Sequence, residues 1–195
     1  MRGRNLTEPR IEFVFGEVND QLRSELKDFW KQYGNAYQEE LRSFRSASSN
    51  GYGSNQMDLL KKPILRQPAA ISRDQLGAIN GIVFVVLREL EASLELGSHA
   101  YFQRMYITPT ARYLTENLSY QRLANQLFRT FLQGFDRVVE KRDHRAKVLL
   151  SENINPGLQK ASMRRYFSRL GFQMLGGNQL GGEVWCKKLE TRFCF

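Results

Sequence analysis

Cysteine, histidine and proline are all scarce in this chain of 195 residues. Only two cysteines are present, Cys186 and Cys194, and only two histidines, His99 and His144. A disulfide framework needs more pairs and a structural metal site needs clustered ligands, so both thiols read as plain and no metal is expected. Long apolar runs are missing too. The longest, GIVFVVL at Gly81–Leu87, falls far short of the roughly 18 residues of a membrane span. The N-terminal stretch MRGRNLTEPRIEF is basic and lacks the apolar centre of a secretory signal. A cytoplasmic protein is therefore expected, in which the sequons at Asn5 and Asn117 are chance matches.

What is present is an ordinary globular composition, 42% hydrophobic and 25% charged, on a chain of one-domain size. The net charge of +9 is unevenly spread. Residues 1–100 carry 13 Lys+Arg and 13 Asp+Glu, whereas residues 101–195 carry 16 against 7. An acidic ligand or partner would meet the second half.

Alternation in RIEFVFGEV, Arg10–Val18, predicts a first strand. Asn19 or Asp20 can cap a following helix, whose apolar positions run from Leu22 through Phe29, Trp30 and Tyr33 to Phe44, with Gly34 as a place to split it. Residues 46–56, SASSNGYGSNQ, read as a flexible loop. Two strands follow, PAAIS at Pro68–Ser72 and a buried one centred on Ile82–Leu87, joined by the turn RDQLG. His99–Pro109 is a fourth strand, and a long helix spans residues 117 to 142 with Leu123, Leu127, Phe131, Phe135 and Val138 or Val139 inward. Lys147–Asn153 is a fifth strand. LQKASMRRYFSRLGF is a helix ending at Gly171, and FQMLGGNQLGGEVWCKKL is a closing hairpin. The order implies a mixed α/β chain with an antiparallel middle and one strand–helix–strand crossover.

Two stretches carry a resemblance at residue level. RMYITPTAR runs from a strand into a turn with Arg112, and FSRLGF spans Phe167–Phe172. Together with the element order they resemble the GNAT superfamily of N-acetyltransferases. That family ends its fourth strand in Val-x-Pro and opens the next helix with Arg-Gly-x-Gly-x-Gly/Ala. Its later signature begins with an aromatic, usually Tyr, and often closes Leu-Gly-Phe. The resemblance implies a GNAT-like single domain over residues 1–195. Its central sheet would be mixed and mostly antiparallel, flanked by helices, with strands four and five splayed. The chain departs from the family in having no glycine between Thr108 and Leu118, and in placing Phe167 where the family usually has Tyr.

By that resemblance an acetyl-CoA or longer acyl-CoA would lie in a gap between the fourth and fifth strands. Met105, Tyr106 and Ile107 would line one side, Leu150 and Asn153 the other. The pyrophosphate would rest on backbone N–H groups from Arg112 onward, through Tyr113, Leu114 and Asn117, at the positive end of the long helix. Glycine there serves positive φ and close approach, and Asn117 is the residue best able to replace it. Acyl transfer needs a base for the attacking amine, a donor for the carbonyl oxygen, and an acid for the leaving thiolate. Candidate bases are Glu152 at the end of the fifth strand and His99, with Glu95, at the start of the fourth. Tyr166, beside Phe167, is the candidate acid, although on a helix it points about 100° from that neighbour.

Three readings stay open at this point. The first is an acyltransferase moving an acyl group from acyl-CoA to an amine-bearing substrate. The second is a relative that takes the acyl group from acyl carrier protein, an acidic partner that a basic face would attract. The third is a non-catalytic GNAT-like module that binds nucleic acid or an acidic protein, although no aromatic–basic interleaving marks single-strand binding.

Overall fold

The computed structural model describes residues 9–47, 60–91, 94–113, 118–177 and 181–190. Seven strands form one sheet in the order β1-β2-β3-β4-β5-β7-β6. They are β1 Arg10–Phe13, β2 Leu60–Arg73, β3 Ile79–Leu90, β4 His99–Ile107, β5 Ala146–Asn153, β6 Gln173–Gly177 and β7 Glu183–Lys188. The helices are α1 Asp20–Ala47, α2 Pro109–Tyr113, α3 Leu118–Arg137 and α4 Ala161–Arg169. The ladders β1–β2, β5–β7 and β6–β7 are antiparallel, while β4 and β5 pair in parallel. Parallel neighbours need a long crossover, and α3 lies within this one. Element order, mixed sheet and crossover are those the GNAT resemblance implied.

The chain divides into two compact units that cut across several elements. The first holds residues up to Tyr33, Gln67–Phe84 and Met105–Arg137. The α1 helix begins where Asn19 Oδ1 accepts the Leu22 N–H at 2.8 Å, a side-chain cap on a first turn that also carries Asp20. Its buried residues Leu22, Leu26 and Phe29 follow helical spacing. On α3, Leu123, Leu127, Phe131 and Phe135 are all buried as the spacing predicts. Phe135 packs edge-on against Phe15 at 5.0 Å and tilts over Phe131 at 5.3 Å. Gly134 lets α3 approach β1, because a Cβ there would sit 2.2 Å from the Phe13 ring. The β2–β3 turn is closed by Asp74, whose Oδ1 accepts from Leu76 and Ala78, both at 2.9 Å. Gly77, at φ 85°, completes it.

The second unit holds Gly34–Arg66, Val85–Arg104 and Val138–Phe195. Its core gathers Tyr101, Leu149, Phe167, Phe172 and Trp185. Phe167 stacks on Trp185 at 5.5 Å and meets Phe172 edge-on at 5.7 Å. The α4 helix ends in a Schellman turn: the Phe172 N–H returns to the Phe167 carbonyl and the Gly171 N–H to Ser168, with Gly171 at φ 85°.

Four expectations need correction. Helix α1 runs unbroken for 28 residues through Gly34. Nothing lies within 4 Å of a Cβ built there, so the glycine costs about 1 kcal/mol of helix propensity and breaks nothing. The first strand stops at Phe13 rather than Val18. The helix expected over 117–142 ends at Arg137, and Val139–Lys141 form a separate 3₁₀ turn, so Val138 and Val139 lie beyond the helix and are half-buried rather than on its inner face. Of the loop expected at 46–56, Ser46 and Ala47 belong to α1 and the remainder lies outside the described residues.

Candidate active site

The residues expected to serve the site divide between the units. Met105, Tyr106, Ile107, Arg112 and Tyr113 fall in the first, and His99, Leu150, Glu152, Asn153 and Tyr166 in the second. Leu114 and Asn117 lie outside the described residues.

In the first unit, Arg112 and Tyr113 are the described part of the expected phosphate cradle. A helical turn, α2, follows β4 at once. Thr108 starts it: its Oγ1 accepts from the Ala111 N–H at 3.4 Å and its carbonyl from the Arg112 N–H at 3.1 Å. The Arg112 guanidinium folds back, with Nε donating to the Ile107 carbonyl at 2.7 Å and the group lying 5.3 Å over the Tyr106 ring. Tyr106 is itself buried against Phe29 and Trp30. The backbone N–H and the Nε of Arg112 thus bond to the end of β4, and residues 114–117, the rest of the expected cradle, lie outside the described residues. Tyr113 closes α2. Met105 is half-buried and Ile107 buried.

The same unit contains a cleft of about 490 Å³ lined by Glu25, Asp28, Tyr33, Arg73, Asp74 and Thr108 among others. Its charges are largely answered from within. Arg73 donates to Glu25 at 2.6 Å and to Glu12 at 3.2 Å. Burial works against the Arg73 charge, but Glu25 and Glu12 outweigh it and raise the pKa. The same hydrogen bond, with one from Gln21, holds Glu25 below its ordinary value.

In the second unit the β4–β5 ladder pairs His99 with Ala146 at one end and Gln103 with Ser151 at the other, and β4 continues past the paired segment to Ile107. Ser151 donates to the Gln103 side chain at 2.9 Å, tying the two strands. Leu150 is buried between Phe102 and Cys186 in register. Burial pushes the Cys186 thiol up, as befits a plain core thiol; Cys194 lies outside the described residues. His99 is buried with Nδ1 2.9 Å from Ser98 Oγ. It sits opposite Ala146 while Glu152 lies near the other end of β5, about 20 Å along the strand at 3.3 Å per residue. The two candidate bases therefore do not form one site.

Glu152 is ion-paired to Arg104 of β4, with side chains 16% and 28% exposed respectively. Asn153 is 2% exposed and faces Glu183 across the β5–β7 ladder. Its carbonyl accepts from Gln159 Nε2 at 3.0 Å, while its own Nδ2 is buried with no hydrogen-bond partner among the described residues. Tyr166 packs edge-on to Phe167 at 6.0 Å, and Phe167 belongs to the core.

Sequence reasoning missed two groups. Glu183, 4% exposed, accepts from Arg164 Nε at 2.7 Å and from Trp185 Nε1 at 3.0 Å. The other is the ion pair of Arg104 with Glu152, near which Arg88 lies over the Phe102 ring. The signal for it was available: Arg104 is a charge inside the otherwise uncharged strand stretch YFQRMYI. No group of three potential metal ligands occurs among the described residues, and no described helix is long and apolar enough to cross a membrane.

No known family profile and no curated protein sequence matches this chain. Among solved structures it is similar to a phosphinothricin acetyltransferase of the GNAT superfamily from Sinorhizobium meliloti, determined in complex with acetyl-CoA. That similarity has 12% identity and a TM-score of 0.47, and covers 93% of this chain and 88% of the other.

Proposed function

We propose that this protein is an N-acyltransferase, moving an acyl group from a thioester donor, acyl-CoA before acyl carrier protein, to an amine. The observation that carries the reading is the parallel β4–β5 ladder with its helical crossover, set in an otherwise mostly antiparallel sheet. The buried Asn153 amide supports it. A buried donor left unmade costs about 1–3 kcal/mol, and at the end of β5 it is suited to a carbonyl of the donor's amide-bearing arm. In the reaction the amine nitrogen attacks the thioester carbonyl carbon. The C–N bond forms, the C–S bond breaks, the sulfur leaves as thiolate, and the ammonium proton passes to a base. Glu152, held by Arg104, is the base we favour over His99. With Phe167 unable to donate a proton, the thiolate takes one from Tyr166 or water.

Thermal unfolding with acetyl-CoA, a long-chain acyl-CoA and free CoA tests this. Ligand at about 100 times its Kd adds about 2.7 kcal/mol, a shift of several degrees. A shift with any of them supports the reading and ranks acyl length. No shift with all three removes the CoA donor and leaves the carrier protein or a non-catalytic binding role.

A further inference from the structure

The cleft of the first unit has no part in the acyl-transfer chemistry above. Its lining residues all belong to that one unit. Its volume of about 490 Å³ lies inside the roughly 300–1,000 Å³ of small-molecule sites. Part of the lining is a stripe of α1, Glu25, Asp28, Phe29, Gln32 and Tyr33, whose spacing by three and four residues puts them on one helical face. The β2–β3 turn adds Asp74, Leu76 and Gly77, the start of β3 adds Ile79, and Thr108 and Ala111 complete it.

The cation in this lining is engaged at every nitrogen. Arg73 donates from Nε to Glu12, from Nη2 to Glu25 and from Nη1 to the Gly77 carbonyl at 2.8 Å, so the cleft is not built for an anion. Its acids are in surplus. The exposed Asp28 carboxylate has neither an ion pair nor a hydrogen bond among the described residues. Asp74 spends Oδ1 on the N–H groups of Leu76 and Ala78, and no cation pairs with it among the described residues. The described acids do not converge in a group of three as metal ligands would. Apolar surface adjoins them: Phe29 and Ile79 are buried, Tyr33 is half-buried, and Leu76 on the turn is 94% exposed. A leucine held in water gains when the apolar part of a ligand covers it. Thr108, 2% exposed, marks the buried end for a polar atom: its Oγ1 accepts from the Ala111 N–H at 3.4 Å, while its own proton meets no acceptor among the described residues.

We infer that this cleft binds a primary amine that carries an apolar body, its ammonium among Asp28, Asp74 and Glu25 and its body against Tyr33, Ile79 and Leu76. An ammonium donates charge-assisted hydrogen bonds to carboxylates, and in a protein of net charge +9 an acidic cleft is where an organic cation collects. The inference stands on the cleft alone and does not depend on acyl transfer.

The test is calorimetric titration of the full chain with phenethylamine, with its uncharged counterpart 2-phenylethanol, and with n-propylamine, which has the ammonium without the ring. Phenethylamine should bind about fivefold or more tightly than either. Asp28→Asn and Leu76→Ser alter exposed side chains, so both variants should unfold at the parent's temperature. Each should weaken phenethylamine by about threefold or more, and Asp28→Asn should leave 2-phenylethanol unchanged. Met174→Ser, at an exposed position in the other unit, should change nothing. Equal binding of phenethylamine and 2-phenylethanol, no binding of phenethylamine at millimolar concentration, or parent affinity in Asp28→Asn overturns the inference. Phenethylamine binding without stabilisation by any acyl-CoA keeps the cleft's ligand and removes the CoA-dependent transfer. Acyl-CoA stabilisation without phenethylamine binding does the reverse.

Discussion

Arg73 and Arg88 are the same residue type, both partly buried on neighbouring strands, and their pKa values move in opposite directions. Burial disfavours the charge of each. Around Arg73 two carboxylates, Glu25 and Glu12, overcome that penalty. Around Arg88 the neighbours are Arg104 and Arg66, which deepen it, with Glu152 opposing. The difference teaches that burial alone does not fix the direction of a shift; the charges around the guanidinium do. The first arrangement joins β1, the end of β2 and α1 through two carboxylates. The second sets a guanidinium 5.7 Å over the Phe102 ring, near charges of its own sign.

The largest expected effect comes from breaking the clamp. Arg73→Ala leaves Glu25 and Glu12 without their shared cation and should destabilise by about 2 kcal/mol, less than for a fully buried pair because both carboxylates keep some water; chemical denaturation measures it. The Arg88 region should respond differently. Glu152→Gln removes the counter-charge of Arg104 and should destabilise by about 1 kcal/mol, whereas Arg88→Met, which relieves repulsion from Arg104 and Arg66 and keeps apolar packing on Phe102, should cost less than Arg73→Ala. If Arg88→Met destabilises as much as Arg73→Ala, the two regions are alike and the comparison fails.

A smaller expected effect is pH dependence. Hydrogen bonds from Arg145, despite burial, hold Asp143 down to about 2 from 3.8, and Glu25 is likewise depressed by Arg73 and Gln21. For a carboxylate whose folded pKa is depressed, the stabilisation is present above the unfolded value and lost as pH falls through the folded one. Stability should therefore be flat above about pH 5 on account of these groups and fall below it. Arg145→Gln should raise the Asp143 midpoint, read by NMR titration, and lower stability at neutral pH more than below the folded midpoint, by an amount reduced by the exposure of Arg145.

Much of the architecture was legible because it rests on local periodicity. Leu123, Leu127, Phe131 and Phe135 gave the inner face of α3, and Gly171 marked the end of α4. The site was less legible. The missing glycines between Thr108 and Leu118 were visible as an absence, but that α2 would form instead and turn Arg112 back onto Ile107 depends on Thr108 capping the turn. Glu152 was singled out by its strand end, and Arg104 was not, because their contact is a relation across a ladder that one strand's pattern does not contain. Gly34 misled for the converse reason: its propensity signal is local, and helix α1 runs through it regardless.

The most direct test of the account is product analysis by mass spectrometry after incubating the protein with acetyl-CoA and an equimolar mixture of primary amines. The account predicts N-acetylated amines formed with stoichiometric release of CoA thiol and strongly reduced in Glu152→Gln. No N-acetylated product from any amine, or an undiminished rate in Glu152→Gln, would contradict it.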